Sequence, residues 1–434
     1  MGEGGAERTT RVPELGDHLR RGGLVAAALA AGGFGADYAL NIGLSRLLDA
    51  HSYGDYRVAR EFAAFAGVAV LLGGDRAAAK ALAGPFGRRD LAAVWEYLRF
   101  YLGLAAGLSV AVIAIVWAAA FFHLGPSDPD DHHAIAWMAV GVPLVAGGAL
   151  ISRALQSAHR LALAGLPWRI GFPLLKLGLL AGWAFALGEL TVHEAVVLAL
   201  VATAAVTALQ WLALVRLELP RLERAPSQRH PRQWLVTSMP MMGAFLVALG
   251  LGQSDLYFLE ALGDEKEVGH YAAASTSAHF LVVVQATIVG LVATVLQPAL
   301  DQGRAQALDV YRRSQRMLVL ALVPSAVVLI VAARPILELF GSGFTDAVPV
   351  MNLLVLANLA WAVAALAMLW LQYTDRAGFV LAVTGVTLAV DSLLNLVLIP
   401  RFGMQGAAAS TLISVSLAAA VIVWMRRRHA DRAA

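Results

Sequence analysis

Apolar and polar positions along this chain come in long blocks. Runs of about twenty apolar residues, the length that crosses a hydrocarbon core as a helix, recur from Gly22 to Trp424 with little between them but charged or Pro/Gly-rich turns. Read by length, these runs predict twelve helical spans, at 22–47, 58–74, 99–122, 134–155, 163–187, 192–215, 234–259, 271–296, 317–333, 347–371, 379–399 and 407–424. The second has the shortest apolar core, because Arg57, Arg60 and Glu61 open it, and it is expected to tilt or to line water. Near the end, in NLVLIPRFGMQGAAASTLIS, one helix is expected to leave the membrane at Pro400 and the next to re-enter at Gly406.

Composition agrees with the pattern. The 434 residues are 59% hydrophobic and 15% charged, against roughly 45–50% and 25% in soluble domains, and the mean hydropathy is +0.68. The expected fold class is therefore all-α, a polytopic membrane protein. The net charge of +3 does not point to nucleic acid, since the basic residues sit in short loops beside apolar runs. With no cysteine, disulfides, thiolate chemistry and cysteine-ligated metal are excluded. Arg20 and Arg21 precede an apolar run containing Ala28-Leu29-Ala30, which resembles a signal-peptide cleavage site, but the run continues to Leu47 and reads as an uncleaved first span.

Lys and Arg are retained on the cytoplasmic side during insertion. One set of alternating loops is rich in them: Arg8, Arg11, Arg20 and Arg21, then Arg76, Lys80, Arg88 and Arg89, and so on to Arg426, Arg427, Arg428 and Arg432. The other set holds only Arg57, Arg60, Lys266, Arg334 and Arg401, and its loop 123–133 is acidic. Both termini are expected in the cytoplasm, with an even number of spans.

An internal repeat accompanies this topology. Gly54-Asp55-Tyr56 recurs 215 positions on as Gly269-His270-Tyr271, and Leu155-Gln156 with Arg160 recurs 216 positions on as Leu371-Gln372 with Arg376. The pairs imply two like-oriented lobes of six helices, 1–216 and 234–434, related by an axis along the membrane normal, as in alternating-access carriers. Residues 217–233, rich in Pro and Arg, read as the basic cytoplasmic linker.

Four segments carry a family likeness: GLSRLLDAHSYGDYRVA (43–59), SDLYFLEALGDEKEVGHYAAA (254–274), LELFGSGFTDAVPVMNLL (337–354) and LNLVLIPRFGMQGAAAST (394–411). In their order across nearly the whole chain they resemble the polysaccharide exporters and lipid-linked oligosaccharide (O-antigen-type) flippases of the multidrug/oligosaccharidyl-lipid/polysaccharide (MOP) superfamily. The resemblance implies a two-lobed, MATE-like carrier of the bacterial cytoplasmic membrane. Such a carrier moves an undecaprenyl-diphosphate-linked oligosaccharide between leaflets for surface polysaccharide or lipopolysaccharide, alongside polymerase and chain-length proteins. Drug-extruding relatives share the twelve-span plan and are the nearest rival.

Ionisable residues within spans are candidates for transport. Asp37, Asp255 and Asp391 are expected to respond to a coupling proton or sodium ion, and Arg46, Arg169, Lys176 and Asn395 to meet the substrate. Arg169 and Lys176 are two helical turns apart and would form a basic stripe suited to a diphosphate, with Pro167 and Pro173 breaking the helix locally and exposing backbone donors. Alternatively, Arg169 snorkels to the interface. Asp391 and Asn395 are four apart and share a face, as a polar lining or an interhelical hydrogen bond. Asp255 could equally be a solvated helix end, and Asp37 a packing carboxylate. His279 and Gln285 do not share a face and receive no joint role. No cofactor is expected. Asp128-Pro129-Asp130 and the following Asp131, His132 and His133 imitate a metal site but lie in one short loop, with no phosphate-cradling Gly-x-x-x-x-Gly-Lys motif anywhere, so the chain does not read as an enzyme.

Overall fold

The computed structural model of the protein describes residues 15–122, 131–221, 231–374 and 376–431. Asp128 and Asp130 of the acidic loop, and 222–230 of the expected linker, lie outside the described residues. Among the described residues the ordered elements are all helical. In chain order they are α1 (Leu15–Leu47), α2 (Ala50–Ala69), α3 (Gly74–Gly87), α4 (Leu91–Phe121), α5 (Asp131–Ala139), α6 (Val142–Ser157), α7 (Leu161–Leu166), α8 (Phe172–Leu187) and α9 (Val192–Ala213). The second group is α10 (Pro231–Leu262), α11 (Glu265–Ala278), α12 (Phe280–Gln302), α13 (Arg304–Val331), α14 (Ala333–Glu338), α15 (Val348–Tyr373) and α16 (Ala377–Asp431).

Polar side chains in the turns start these helices. Asp49 accepts from the Ser52 amide at 2.7 Å, Asp90 from Ala93 at 3.0 Å and Asp264 from Lys266 at 3.0 Å, each satisfying an orphan donor of the first turn. Thr191 and Glu194 close a capping box on α9.

Nine helical segments among the described residues are long and apolar enough to cross a membrane, and ten if the bent pair α2–α3 makes one span. The expected count of twelve rests on finer divisions. The 52-residue segment from Ala377 to Arg428 carries two of the expected runs, and at ~1.5 Å per residue it is about twice the hydrocarbon thickness. It breaks at Gly403, where φ is +54°. α1, rich in alanine and glycine and carrying Asp37, is not among the nine.

The second expected run, 58–74, covers the later part of α2 and ends at the break where α3 begins. α2 and α3 bend by 54° across Leu72 and Gly73, whose φ values are +46° and +79°. Arg57 and Glu61 on α2 are buried, so this helix lies inside the bundle, not against lipid.

Contacts between α1–α9 and α10–α16 occur toward both faces. Toward the face where α1 ends, α2 packs along α11, and the repeat glycines meet. A Cβ on Gly54 would stand 2.9 Å from the Gly269 nitrogen, and one on Gly269 would fall inside the Ala50 carbonyl. Toward the face where α16 ends, Ser238 of α10 docks into the α2–α3 break. Its hydroxyl donates to the Leu72 carbonyl at 2.7 Å and pairs with the Tyr101 hydroxyl at 3.0 Å, while its carbonyl fills the space a Cβ on Gly73 would need.

Candidate functional site

Two cavities lie between these contacts. The larger, about 750 Å³, is walled by α1, α2, α8, α9 and α12 and presents Asp37, Arg60 and Arg169 among aromatic groups that include Phe34, Tyr56, Trp168 and Phe172. The second, about 490 Å³, opens among α2, α10, α11, α12, α15 and α16 and is more polar, with Arg57, Glu61, Asp255, Thr276, His279 and Asn358 in its wall. Phe34, Asp37 and Arg60 line both.

At this shared wall, Asp37 Oδ1 pairs with Arg60 at 3.4 Å. Asn41, one turn on, donates to Asp37 Oδ2 at 3.1 Å, and its carbonyl accepts from Arg57 at 2.8 Å and from the Tyr53 hydroxyl at 3.1 Å. Arg57 also donates to Thr276 of α11 at 3.1 Å and pairs with Glu61 at 3.5 Å. Two guanidiniums and two carboxylates thus form one network joining α1, α2 and α11. Buried charges persist when paired and hydrogen-bonded in this way.

Lys176 is fully buried. Its Nζ has no hydrogen-bond partner among the described residues and stands 4.2 Å above the Tyr56 ring centroid, so Tyr56 separates it from the cavity that ring lines. Arg169 faces the cavity directly. The expected stripe of Arg169 and Lys176 is therefore interrupted, because Pro167–Gly171 form a π turn whose extra residue rotates the following helix out of phase.

Asp255 and Asp391 form a second polar centre. Asp255 accepts from Tyr271 and Thr411, both at 2.5 Å, and from Asn395 at 2.8 Å. Asp391 accepts from Ser254 at 3.0 Å, Ser414 at 2.9 Å and Asn395 at 3.2 Å. Both carboxylates are buried, and among the described residues neither takes part in an ion pair. The Asn395 carbonyl oxygen is buried beside them without a hydrogen-bond partner. Asp255 is thus no solvated helix end, since α10 continues to Leu262 and carries it inside the bundle. Asn395 bridges the two acids.

Arg46 lies elsewhere. It donates to the Leu339 and Glu338 carbonyls at 2.7 and 2.9 Å, satisfying the C-terminal end of α14, and lines neither cavity. Sequence reading had not singled out Asn41, Tyr53, Thr276, His279 or Thr411 as site residues. The one available signal was the density of Arg57, Arg60 and Glu61 in an otherwise apolar run.

The polysaccharide biosynthesis protein family matches the chain over residues 19–303. No curated protein matches by sequence. Among solved structures, an inward-facing multidrug resistance MATE family transporter of the MOP superfamily superposes with a TM-score of 0.74 at 15% identity, covering 91% of this chain and 94% of that one. The lipid II flippase MurJ in an inward closed conformation gives 0.73 at 12% identity, covering 93% and 87%. A MOP superfamily transporter from Pyrococcus furiosus gives 0.66 at 12% identity, with 97% of each chain covered. At these identities the likeness is one of fold.

Proposed function

The chain belongs to the polysaccharide biosynthesis protein family, and from that premise we propose that this multi-pass MOP-type transporter is a flippase for an undecaprenyl-diphosphate-linked oligosaccharide in a bacterial cytoplasmic membrane, with both termini cytoplasmic. In this reading two six-helix lobes, 1–216 and 234–434, rock about the paired cavities by alternating access, and surface-polysaccharide polymerase and chain-length proteins act downstream.

The observation that carries the reading is the concentration of cationic side chains at the junction of the two cavities. Arg60 and Arg169 face the larger space, Arg57 faces the smaller, and Lys176 stands behind Tyr56. Guanidinium groups suit a diphosphate because they present paired donors to its oxygens. The hydroxyl- and amide-bearing wall of the smaller cavity suits sugar, and the aromatic wall of the larger can stack on it. The prenyl tail stays in lipid. Lys176→Ala is expected to stop export while the protein stays in the membrane; normal surface polysaccharide in that variant counts against the assignment.

Coupling is assigned to Asp255 and Asp391, with Asp37 as an acid that substrate can separate from Arg60. Two buried carboxylates held only by hydroxyls and an amide favour a shared proton or a hard cation such as sodium, since such ions take oxygen ligands. The orphan Asn395 oxygen fits the same ligand set.

The second reading is a cation-coupled drug antiporter. It is favoured by Asp37 lining both cavities amid aromatic side chains and by the MATE-like fold. Efflux of cationic dyes dependent on Asp37, with surface polysaccharide unaffected, selects it.

A further inference from the structure

The segment LELFGSGF, part of one of the four stretches that carry the family likeness, lines neither cavity. It closes the face where α1 ends. After α14 the chain turns at Gly341, whose φ of +144° favours glycine, into the short 3-10 helix Ser342–Ala347. A Cβ on Gly341 would stand 3.2 Å from the Phe344 ring, so the turn folds tightly back on itself. Phe340 and Phe344 are both buried, and they pack on rings from the first group of helices. Between ring centroids, Tyr38 of α1 lies 5.5 Å from Phe340, and Tyr53 of α2 lies 6.5 Å from Phe340 and 6.1 Å from Phe344. His270 of α11 completes the layer, 5.1 Å from Phe344. At the rim, Arg46 holds the α14 carbonyls of Glu338 and Leu339.

This aromatic layer sits directly on the charge network of the cavities. Along α1, Phe34 and Asp37 line the cavities, Tyr38 and Asn41 follow one turn on, and Arg46 stands at the rim. The Tyr53 hydroxyl and Arg57 both donate to the Asn41 carbonyl, at 3.1 and 2.8 Å. Arg57 also reaches Thr276 of α11 at 3.1 Å, beside Ser277, whose hydroxyl pairs with that of Tyr38 at 3.1 Å. One guanidinium therefore lines the smaller cavity, shares the acceptor that holds Tyr53, and bonds the second group of helices to the first. Its Nε is buried without a hydrogen-bond partner among the described residues. Arg57 has a donor to spare for an anion.

We propose that the turn carrying Phe340 and Phe344 is the plug of this face and that Arg57 is its release: an anion that draws the Arg57 guanidinium into the smaller cavity takes it from Thr276 and Asn41, and the aromatic layer parts. The identity of the anion rests on the diphosphate reading above; the plug does not. Phosphate oxygens outcompete the present acceptors, because a hydrogen bond between two charged groups is about twice as strong as one between neutral groups. Glu61, the ion-pair partner of Arg57 at 3.5 Å, lies on the same helix and moves with it. A ligand shifts a conformational balance only by binding one state better. Here the difference is that the Arg57 donors are spent on Thr276 and Asn41 while the face is closed and are free when it is open.

The test uses the full chain in nanodiscs with spin labels on Ser52→Cys of α2 and Ser342→Cys of the turn, in a protein that has no native cysteine. Inorganic pyrophosphate is the probe, with its binding read by calorimetry and the label separation by double electron–electron resonance. Pyrophosphate is expected to enlarge the longer-distance population of the parent. Thr276→Val keeps the side-chain shape and removes an acceptor of Arg57. It is expected to enlarge that population about tenfold without ligand, the worth of one hydrogen bond to a charged group, and to leave pyrophosphate less to add. Arg46→Gln, a change at an exposed side chain that spares the core, is expected to enlarge it a few-fold and to keep the response to pyrophosphate. Thr294→Val, whose hydroxyl donates to the Leu291 carbonyl of its own helix at 2.7 Å, is expected to match the parent. Unchanged distributions in both Thr276→Val and Arg46→Gln, equal widening in Thr294→Val, or pyrophosphate that binds the parent without widening it overturns the proposal. Absence of pyrophosphate binding to the parent overturns the diphosphate reading instead, and the ligand-free distribution of Thr276→Val still decides the plug.

Discussion

Gly269→Ala perturbs the contact between the internal repeats most directly. A Cβ there would overlap the Ala50 carbonyl oxygen and stand 2.9 Å from its carbon, where ordinary contact begins near 3.4 Å. The α2 and α11 backbones must therefore separate by at least about 0.5 Å along the whole crossing, because neither obstructing atom is a side chain that could turn away. Overpacking of this kind costs about 1–3 kcal/mol. If the crossing exists only while this face is closed, that energy shifts the balance toward the state in which it is open, by about fivefold to more than a hundredfold at ~1.4 kcal/mol per decade. The chain has no native cysteine, so spin labels on Ser52→Cys and Lys266→Cys report this face alone. Double electron–electron resonance is expected to show a longer-distance population in the Gly269→Ala background. Gly54→Ala, whose nearest obstruction is a backbone nitrogen at 2.9 Å, is expected to shift it less, and Gly107→Ala, with nothing within 4 Å, not at all. A Gly269→Ala distribution identical to the parent, or equal broadening in Gly107→Ala, refutes the role given to the crossing.

Asp391→Asn, which keeps the shape of the Ser254–Asn395–Ser414 cluster and removes one charge, is expected to abolish any sodium-induced rise in thermal midpoint; an undiminished rise removes Asp391 from the cation site. Arg57→Leu leaves the buried Glu61 carboxylate without its ion-pair partner and is expected to cost about 3–5 kcal/mol, seen as a large drop in thermal midpoint, whereas loss at the more exposed Arg60 should be smaller. Gly403→Ala places a Cβ against the Glu267 carboxylate that accepts from the Met404 amide at 2.9 Å, at a φ of +54°. It is expected to destabilise by about 1–3 kcal/mol, checked in detergent against Gly378→Ala, which meets nothing within 4 Å.

Much of the candidate site was open to sequence reading one helix at a time. Asp391 and Asn395 share a face because they are four apart, and they do meet, at 3.2 Å. Their link to Asp255, 140 residues from Asn395, was invisible because nothing in a single chain records which helices become neighbours. Arg169 and Lys176 were placed on one stripe by counting turns. The π turn at Pro167–Gly171 shifts that count, leaving one facing a cavity and the other sealed behind Tyr56.

The hydrophobic pattern by itself determined the solvent and the helical class, since in lipid each span must satisfy its own backbone hydrogen bonds and its length is set by the hydrocarbon; four motif-bearing segments carried the family likeness. The Gly-x-Tyr repeat marked Gly54 and Gly269 as equivalent. Only the tertiary structure decided that those glycines touch, that Arg57 and Arg60 turn inward to Asn41 and Asp37, and that two acids with no basic partner among the described residues share the Asn395 amide. Each is an encounter between helices distant in sequence, determined by packing and by the need to pair buried charge rather than by any local periodicity.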